Sequence, residues 1–288
     1  MTVRDRFGLG WRPRLALGIL SNLDRIDLVE VIADDFFRAP RRERRALRTL
    51  AAQVPITLHG VSLGLASCVP VETRRLDQMA RLCGEVKPVS WSEHLAFVRG
   101  GGIEIGHLAA PPRTAATIDG AINNLRRARA IAGVAPLVEN VATLIEPPGS
   151  DRDEAAWVSE ILSRSESHLL LDLHNLHANA TNFKFDPVDF ISRIPPERIS
   201  SIHLAGGRWI GRAEAPRLLD DHLHDVPDPV YDLLEEVAAR VPHALTVILE
   251  RDGNFPPIEW LIDQLDCARR AVARGRFRKK ARQKAIAA

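Results

Sequence analysis

Cysteine is scarce. Only Cys68, Cys83 and Cys267 occur in 288 residues, far apart and outside any CxxC pair. So small, odd and dispersed a set argues against a disulfide scaffold and against a thiolate zinc site. Long hydrophobic runs are missing as well, and no apolar stretch approaches the ~20 residues that a bilayer demands. The opening MTVRDRFGLGWRPR lacks the apolar core of a signal peptide. A cytoplasmic protein with no membrane partner is therefore expected. Charge of one sign is also absent: 39 basic residues face 37 acidic ones, for a net +2. That balance gives little drive toward phosphate backbones, and no nucleic-acid partner is expected. No glycine-rich dinucleotide loop, phosphate-binding loop or serine nucleophile elbow is present. The glycine triplet at 100–102 reads as a turn.

What is there is a regular alternation. Short apolar runs read as strands in RFGLGW and at 27–33, 55–61, 88–95, 136–141, 168–174, 199–206 and 244–251. Most are apolar over four or five residues in succession, as strands buried on both faces of a parallel sheet are. Amphipathic helix patterns fill the gaps at 41–53, 72–85, 114–133, 154–165 and from 228. Eight β/α units in a chain of this length predict a single α/β domain, a TIM-like (β/α)8 barrel over residues 1–272. A basic tail at 273–288 follows, expected to be frayed or to dock a partner. The long stretch after His203 is expected to cover the barrel mouth.

The strand candidates share a second property. PITLH ends at His59, VSWSEH at His94, PLVE at Glu139, HLLLD at Asp172, SSIH at His203 and LTVILE at Glu250. Asp220 and His222 form an Asp-x-His pair between the last two. In an extended segment their side chains would share a face. Taken alone, a strand-end histidine is more often structural than a ligand. Six such residues together need a common cause, and convergence on metal ions at the C-terminal mouth of a barrel supplies it. Imidazoles and carboxylates without thiolates suit iron, manganese or zinc. The ligands outnumber what one ion can use. Two or three ions with a bridging carboxylate are expected, and Glu139 is the candidate bridge. His174, His177 and His224 are weaker candidates, whereas His107, His168 and His243 read as structural or exposed. Asn140, Arg251 and Asp252 adjoin ligand candidates and could orient them or simply pair within the rim.

The strings HGVSLGLAS (59–67), SEHLAF (92–97), LVENVATLIEPPGS (137–150), LLLDLHNLHANATNFKFDP (169–187), IHLAGG (202–207), DDHLHDVPDPV (220–230) and LERDGNFPP (249–257) resemble, in order, the multinuclear non-haem iron-dependent oxidative enzymes. That family includes the oxidase of methanobactin biosynthesis. The resemblance implies a TIM-like barrel holding two or three irons, as mixed Fe(II)/Fe(III), and O2-dependent oxidation of a ribosomally made precursor peptide. Cysteine is the foremost target, with Asp, Asn or Tyr in some branches. It also implies a separate partner protein that recognises the leader. Carried over by residue, His59, His94 and Glu139 would hold one iron, and Glu139, Asp172, His203 and Glu250 the second. Asp220 and His222, with Asn175 or His174, would hold the third. His174 is a departure, because many members carry Asn there.

Three other readings remain open at this stage. The ligand order also resembles endonuclease IV, a trinuclear zinc barrel, although that enzyme has a histidine where this chain has Asn175. A sugar isomerase could be built on the same barrel. A non-catalytic peptide-binding subunit with structural metals is the third.

Overall fold

The computed structural model describes the backbone of residues 4–212 and 214–287, and the side chains of residues 4–212 and 214–281. Along the chain its strands are β1 (Arg6–Gly10), β2 (Leu28–Ile32), β3 (Ile56–Gly60), β4 (Ser90–His94), β5 (Phe97–Gly100), β6 (Ile103–Ala109), β7 (Leu137–Glu139), β8 (His168–Asp172), β9 (Ile199–Leu204), β10 (Gly207–Ile210), β11 (Arg217–Asp220) and β12 (Thr246–Leu249). Eight of them, β1, β2, β3, β4, β7, β8, β9 and β12, pair in parallel, and β1 bonds to both β2 and β12. The sheet is thus closed as a TIM barrel.

Helices wrap the barrel because their sequences carry an apolar stripe. Helix Thr73–Val86 buries Leu76, Met79, Leu82 and Val86, spaced to fall on one face. Their starts are set locally: Thr114 and Thr117 form a capping box for Ala115–Ala132, and Asp153 caps Glu154–Ser165 through the Ala156 N–H. Strand interiors such as Leu169, Leu171, Ile202 and Val247 are fully buried against these helices.

Two antiparallel hairpins depart from the simple barrel. β5–β6 follows His94 directly, and β10–β11 occupies much of the stretch after His203. Both spring from the C-terminal ends of barrel strands. The 100–102 glycines turn the first hairpin, with Gly101 and Gly102 at positive φ.

The chain does not change character at residue 273. Helix Ile258–Ala287 runs through the basic stretch without a break. Arg276 donates to the Val241 and His243 carbonyls and pairs with Asp5 at 2.7 Å. Arg278 bridges Glu235 and Glu236 at 3.1 and 2.9 Å. These basic residues satisfy the end of helix Asp228–Arg240. The two helices cross closely at Gly275, where a Cβ would lie 2.3 Å from the Glu235 carbonyl oxygen.

Candidate metal centre

Strand register brings the sequence candidates together. His94 and Glu139 are cross-strand partners on β4 and β7, and Asp172 and His203 are partners on β8 and β9. In a closed barrel, side chains that point inward from these positions meet at the axis. Glu139, 1% exposed, is the hub. Its Oε2 lies 3.4 Å from His59 Nε2 and 3.4 Å from His94 Nε2, and its Oε1 lies 3.3 Å from His203 Nδ1. Glu250 Oε2 is 3.1 Å from His203 Nδ1 and 3.2 Å from His222 Nδ1. Four overlapping triads have ligand atoms close enough to share an ion: Glu30–His59–His203, His59–His94–Glu139, Glu139–Asp172–His203 and Asp172–His222–Glu250.

Two of the histidines are held in one tautomer. His94 Nδ1 donates to the Gly60 carbonyl at 3.2 Å, which leaves the Nε2 lone pair facing Glu139. His59 Nδ1 lies 2.8 Å from Ser92 Oγ, and that hydroxyl donates onward to the Leu58 carbonyl. The imidazole therefore donates to the hydroxyl, and its Nε2 also faces Glu139. Anchoring one nitrogen so that the other presents a lone pair is how metal-binding histidines are built.

The Asp220–His222 pair is close for a different reason from the one the sequence offered. His222 has φ of 55°, so the segment bends there and the two residues do not share the face of an extended strand. The bend still turns His222 Nε2 to 3.0 Å from Asp220 Oδ2. Asp220 also takes the His174 Nδ1 proton, which joins helix Leu173–Phe183 to β11. His224 does not share the His222 face: its ring bonds to Asp221 at 2.9 Å, away from the cluster. His177 stands outside the cluster too, with its ring 6.2 Å from that of His174. His168 and His243 are structural, bonding Ser200 and the Ile199 carbonyl, while exposed His107 lies on the wall above the site.

The neighbours divide by role. The Asn140 side chain accepts from Asp172 N–H at 2.9 Å and donates to the Asp172 carbonyl at 3.0 Å, so it fixes the backbone that carries Asp172. Asn175 donates to the Asn140 carbonyl, and its Oδ1 is left buried without a partner. Asp252 pairs with Arg12 and lies 3.6 Å from His222. Arg251 turns away, bonding Asp225 and the Leu223 carbonyl. Glu30 escaped the sequence reading because it lies inside the run LVEVI rather than at its end. The string LVE recurs at 137–139, where it holds Glu139, and was the available signal.

Acids and imidazoles are crowded into one buried space. Burial resists ionisation of Glu139, yet His94, His203 and His59 hold its carboxyl below the ordinary range. Burial likewise resists charge on His94, but Glu139, Glu93 and Glu250 push it up to about 9. Burial raises Asp172, and Asp220 and Glu139 add to that rise. Of the twelve buried side-chain nitrogen and oxygen atoms without a hydrogen-bond partner among the described residues, eight belong to Glu30, Glu139, Asp172, His174, Asn175, His203 and His222. Unsatisfied buried donors and acceptors each cost about 1–3 kcal/mol. Their concentration at one point fits a site completed by positive ions, and the donor set of imidazole and carboxylate suits iron, manganese or zinc alike. The site floors a cavity of about 720 Å3 walled by the β5–β6 hairpin, the 141–148 loop and β11.

A family model described as the RiPP precursor modification enzyme MbnB/TglH/ChrH, where RiPP denotes a ribosomally made, post-translationally modified peptide, matches residues 6–273. The chain belongs to this family. Relatives of this chain include a UPF0276 protein of Streptomyces avermitilis, 35% identical over 277 residues. That match covers 92% of this chain and 54% of the Streptomyces protein, so the chain spans about half that relative's length. A UPF0276 protein of Caulobacter vibrioides is 31% identical over 276 residues, covering 94% and 96% of the two chains. Among solved structures, D-psicose 3-epimerase from Clostridium cellulolyticum superimposes with a TM-score of 0.58 at 12% identity, over 95% of this chain and 99% of its own. Endonuclease IV from Thermus thermophilus gives 0.58 at 14% identity, over 92% and 99%. At such identities these structures share the barrel fold with the family member described here, and the likeness extends no further.

Proposed function

We propose that the protein is an iron- and O2-dependent oxidoreductase that modifies one residue of a ribosomally made precursor peptide. Cysteine is the foremost target, with Asp, Asn or Tyr as alternatives. The observation that carries this reading is the set of orphaned imidazole and carboxylate atoms around Glu139 at the floor of an open cavity, in a chain of this family. His59, His94 and Glu139 would hold one ion, and Glu139, Asp172, His203 and Glu250 the second. Asp220 and His222, with His174 or Asn175, would hold a third. Bound iron supplies redox chemistry with O2 and acidifies a thiol that binds to it.

The remaining work falls to the chain. Glu139 keeps its carboxylate ionised against burial, held by His94, His203 and His59, and would offer it to the ions. Ser92 and the Gly60 carbonyl hold His59 and His94 with Nε2 forward. The apolar walls contributed by Phe97, Val141, Leu144, Ile145 and Leu218 shed water and accept an extended peptide. A separate partner protein presents the leader, and the reaction takes place in the cytoplasm. Among the described residues no helix is long and apolar enough to cross a membrane.

Anaerobic iron loading, followed by air and the precursor peptide with and without its partner, tests the proposal by peptide mass. A mass change that requires both iron and O2 supports it. An unchanged peptide with iron and partner present counts against it, and tightly bound zinc with phosphodiesterase activity would point to a hydrolase instead.

A further inference from the structure

His59 and His94 each tie one ring nitrogen to a hydroxyl or carbonyl and offer the other. His203 has no such tie. Neither of its ring nitrogens makes an aligned hydrogen bond. Nδ1 faces two carboxylates, Glu139 at 3.3 Å and Glu250 at 3.1 Å. These are separations expected of donors that share one ion. Nε2 faces Glu30 Oε1 at 2.8 Å.

Glu30 is 2% exposed and projects from β2, three strands around the barrel from β9. The sheet path between them passes through β1 and β12, so the contact spans the barrel interior. Its Oε2 accepts from Thr57 Oγ1 at 3.4 Å, and Thr57 is its register partner on β3. That contact steers the carboxylate, and Oε1 is left buried without another partner. A buried carboxylate in this position needs a donor.

We propose that Glu30 is a positioning residue: it accepts the His203 Nε2 proton and so fixes the tautomer that aims the Nδ1 lone pair between Glu139 and Glu250. The inference rests on the metal reading of the same cluster and adds to it a carboxylate–imidazole pair behind the ion. A direct ligand role for Glu30 fits less well. Metal–ligand bonds of about 2.0–2.2 Å hold neighbouring donors roughly 3 Å or more apart, whereas 2.8 Å is a hydrogen-bond separation. The His203 nitrogen nearest Glu30 is also the one turned away from the other carboxylates.

The test is anaerobic Co(II) titration of the full chain, read by the visible ligand-field bands and by ion count at saturation. Wild type is compared with Glu30→Gln, Glu30→Asp and Glu30→Ala. Glu30→Asp keeps the charge but withdraws the oxygen from Nε2. Glu30→Gln keeps an acceptor of the same reach. Loss of such an outer partner typically weakens metal binding about 10–100-fold. Glu30→Ala and Glu30→Asp should show that loss at an unchanged ion count, with Glu30→Gln recovering part of it. If the variants lower only the melting temperature and bind Co(II) as wild type does, the positioning role is wrong. A variant that saturates with one ion fewer makes Glu30 a ligand, which also overturns it. Wild type that takes up no Co(II) refutes the metal reading itself, and that outcome is distinct from the other two.

Discussion

Stripping the centre of metal should make the protein's stability fall as pH rises, and the structure sets the size of the effect. In the metal-free chain His94 is buried at the floor of the cavity. Burial is the largest single influence and opposes its charge, but Glu139, Glu93 and Glu250 prevail and push its pKa from 6.5 up to about 9. A displacement of that size corresponds to roughly 3 kcal/mol. Because the folded value lies above the unfolded one, the stabilisation is complete below about pH 6.5 and is lost as pH rises through about 9. His203 and His222 are raised as well, after burial is overcome by Glu250 and by Asp220 respectively, so they act in the same direction. Glu139 and Glu250 are held low, and their contribution is lost only under acid. Urea unfolding of chelated protein at pH 6.5 and 9.5 should therefore differ by about 3 kcal/mol or more. Glu139→Gln removes the chief attraction on His94 and should flatten the dependence. Metal-loaded protein should show little of it, because the ion takes the place of the proton. Equal stability of the stripped wild type at both pH values, or an identical slope in Glu139→Gln, would refute the reasoning.

Three further outcomes follow from the packing around the site. Asn140→Ala strips the Asp172 N–H and carbonyl of their partners; a loss of about 2–4 kcal/mol by denaturant titration is expected, together with weaker metal uptake. Arg113→Met leaves the Glu154 carboxylate buried with Asn179 as its remaining partner. That should cost about 3–5 kcal/mol at pH 8. The loss should shrink at pH 5, since burial already raises Glu154 and protonation relieves an unpaired charge. Gly207→Ala places a Cβ 2.1 Å from the Leu219 carbonyl oxygen and 2.6 Å from His174 Cε1. Backbone on one side cannot yield, so the β10–β11 hairpin should shift at a cost of about 1–3 kcal/mol. A thermal melt checks that, and Co(II) titration checks the accompanying disturbance at Asp220.

Much of the barrel was legible because its physical cause is local. A parallel strand covered on both faces must be apolar throughout, and a helix that covers it must carry a stripe; runs such as HLLLD and stretches such as 72–85 declare both. The strand-end residues were legible only as a set: one polar group closing an apolar run is usually structural, whereas six imidazoles and carboxylates in that position share a cause at the barrel mouth. What the sequence obscured depended on geometry acquired elsewhere. Glu30 projects inward from the middle of LVEVI, and its purpose appears only when β2 and β9 face each other across the barrel. Asp220 and His222 meet through a left-handed residue rather than through strand alternation. The same bend sends His224 to Asp221. The basic stretch from 273 looked like a free tail because its partners, the carbonyls at Val241 and His243 and the acids at Asp5, Glu235 and Glu236, are distant in sequence.

The most direct test of the metal centre is anomalous diffraction at the iron edge, from crystals of protein loaded with Fe(II) without oxygen. Peaks should stand between His59, His94 and Glu139, and between Glu139, Asp172, His203 and Glu250, with the Glu139 carboxylate reaching both. Density confined to the protein surface, or an empty barrel mouth in protein saturated with iron, would contradict the account.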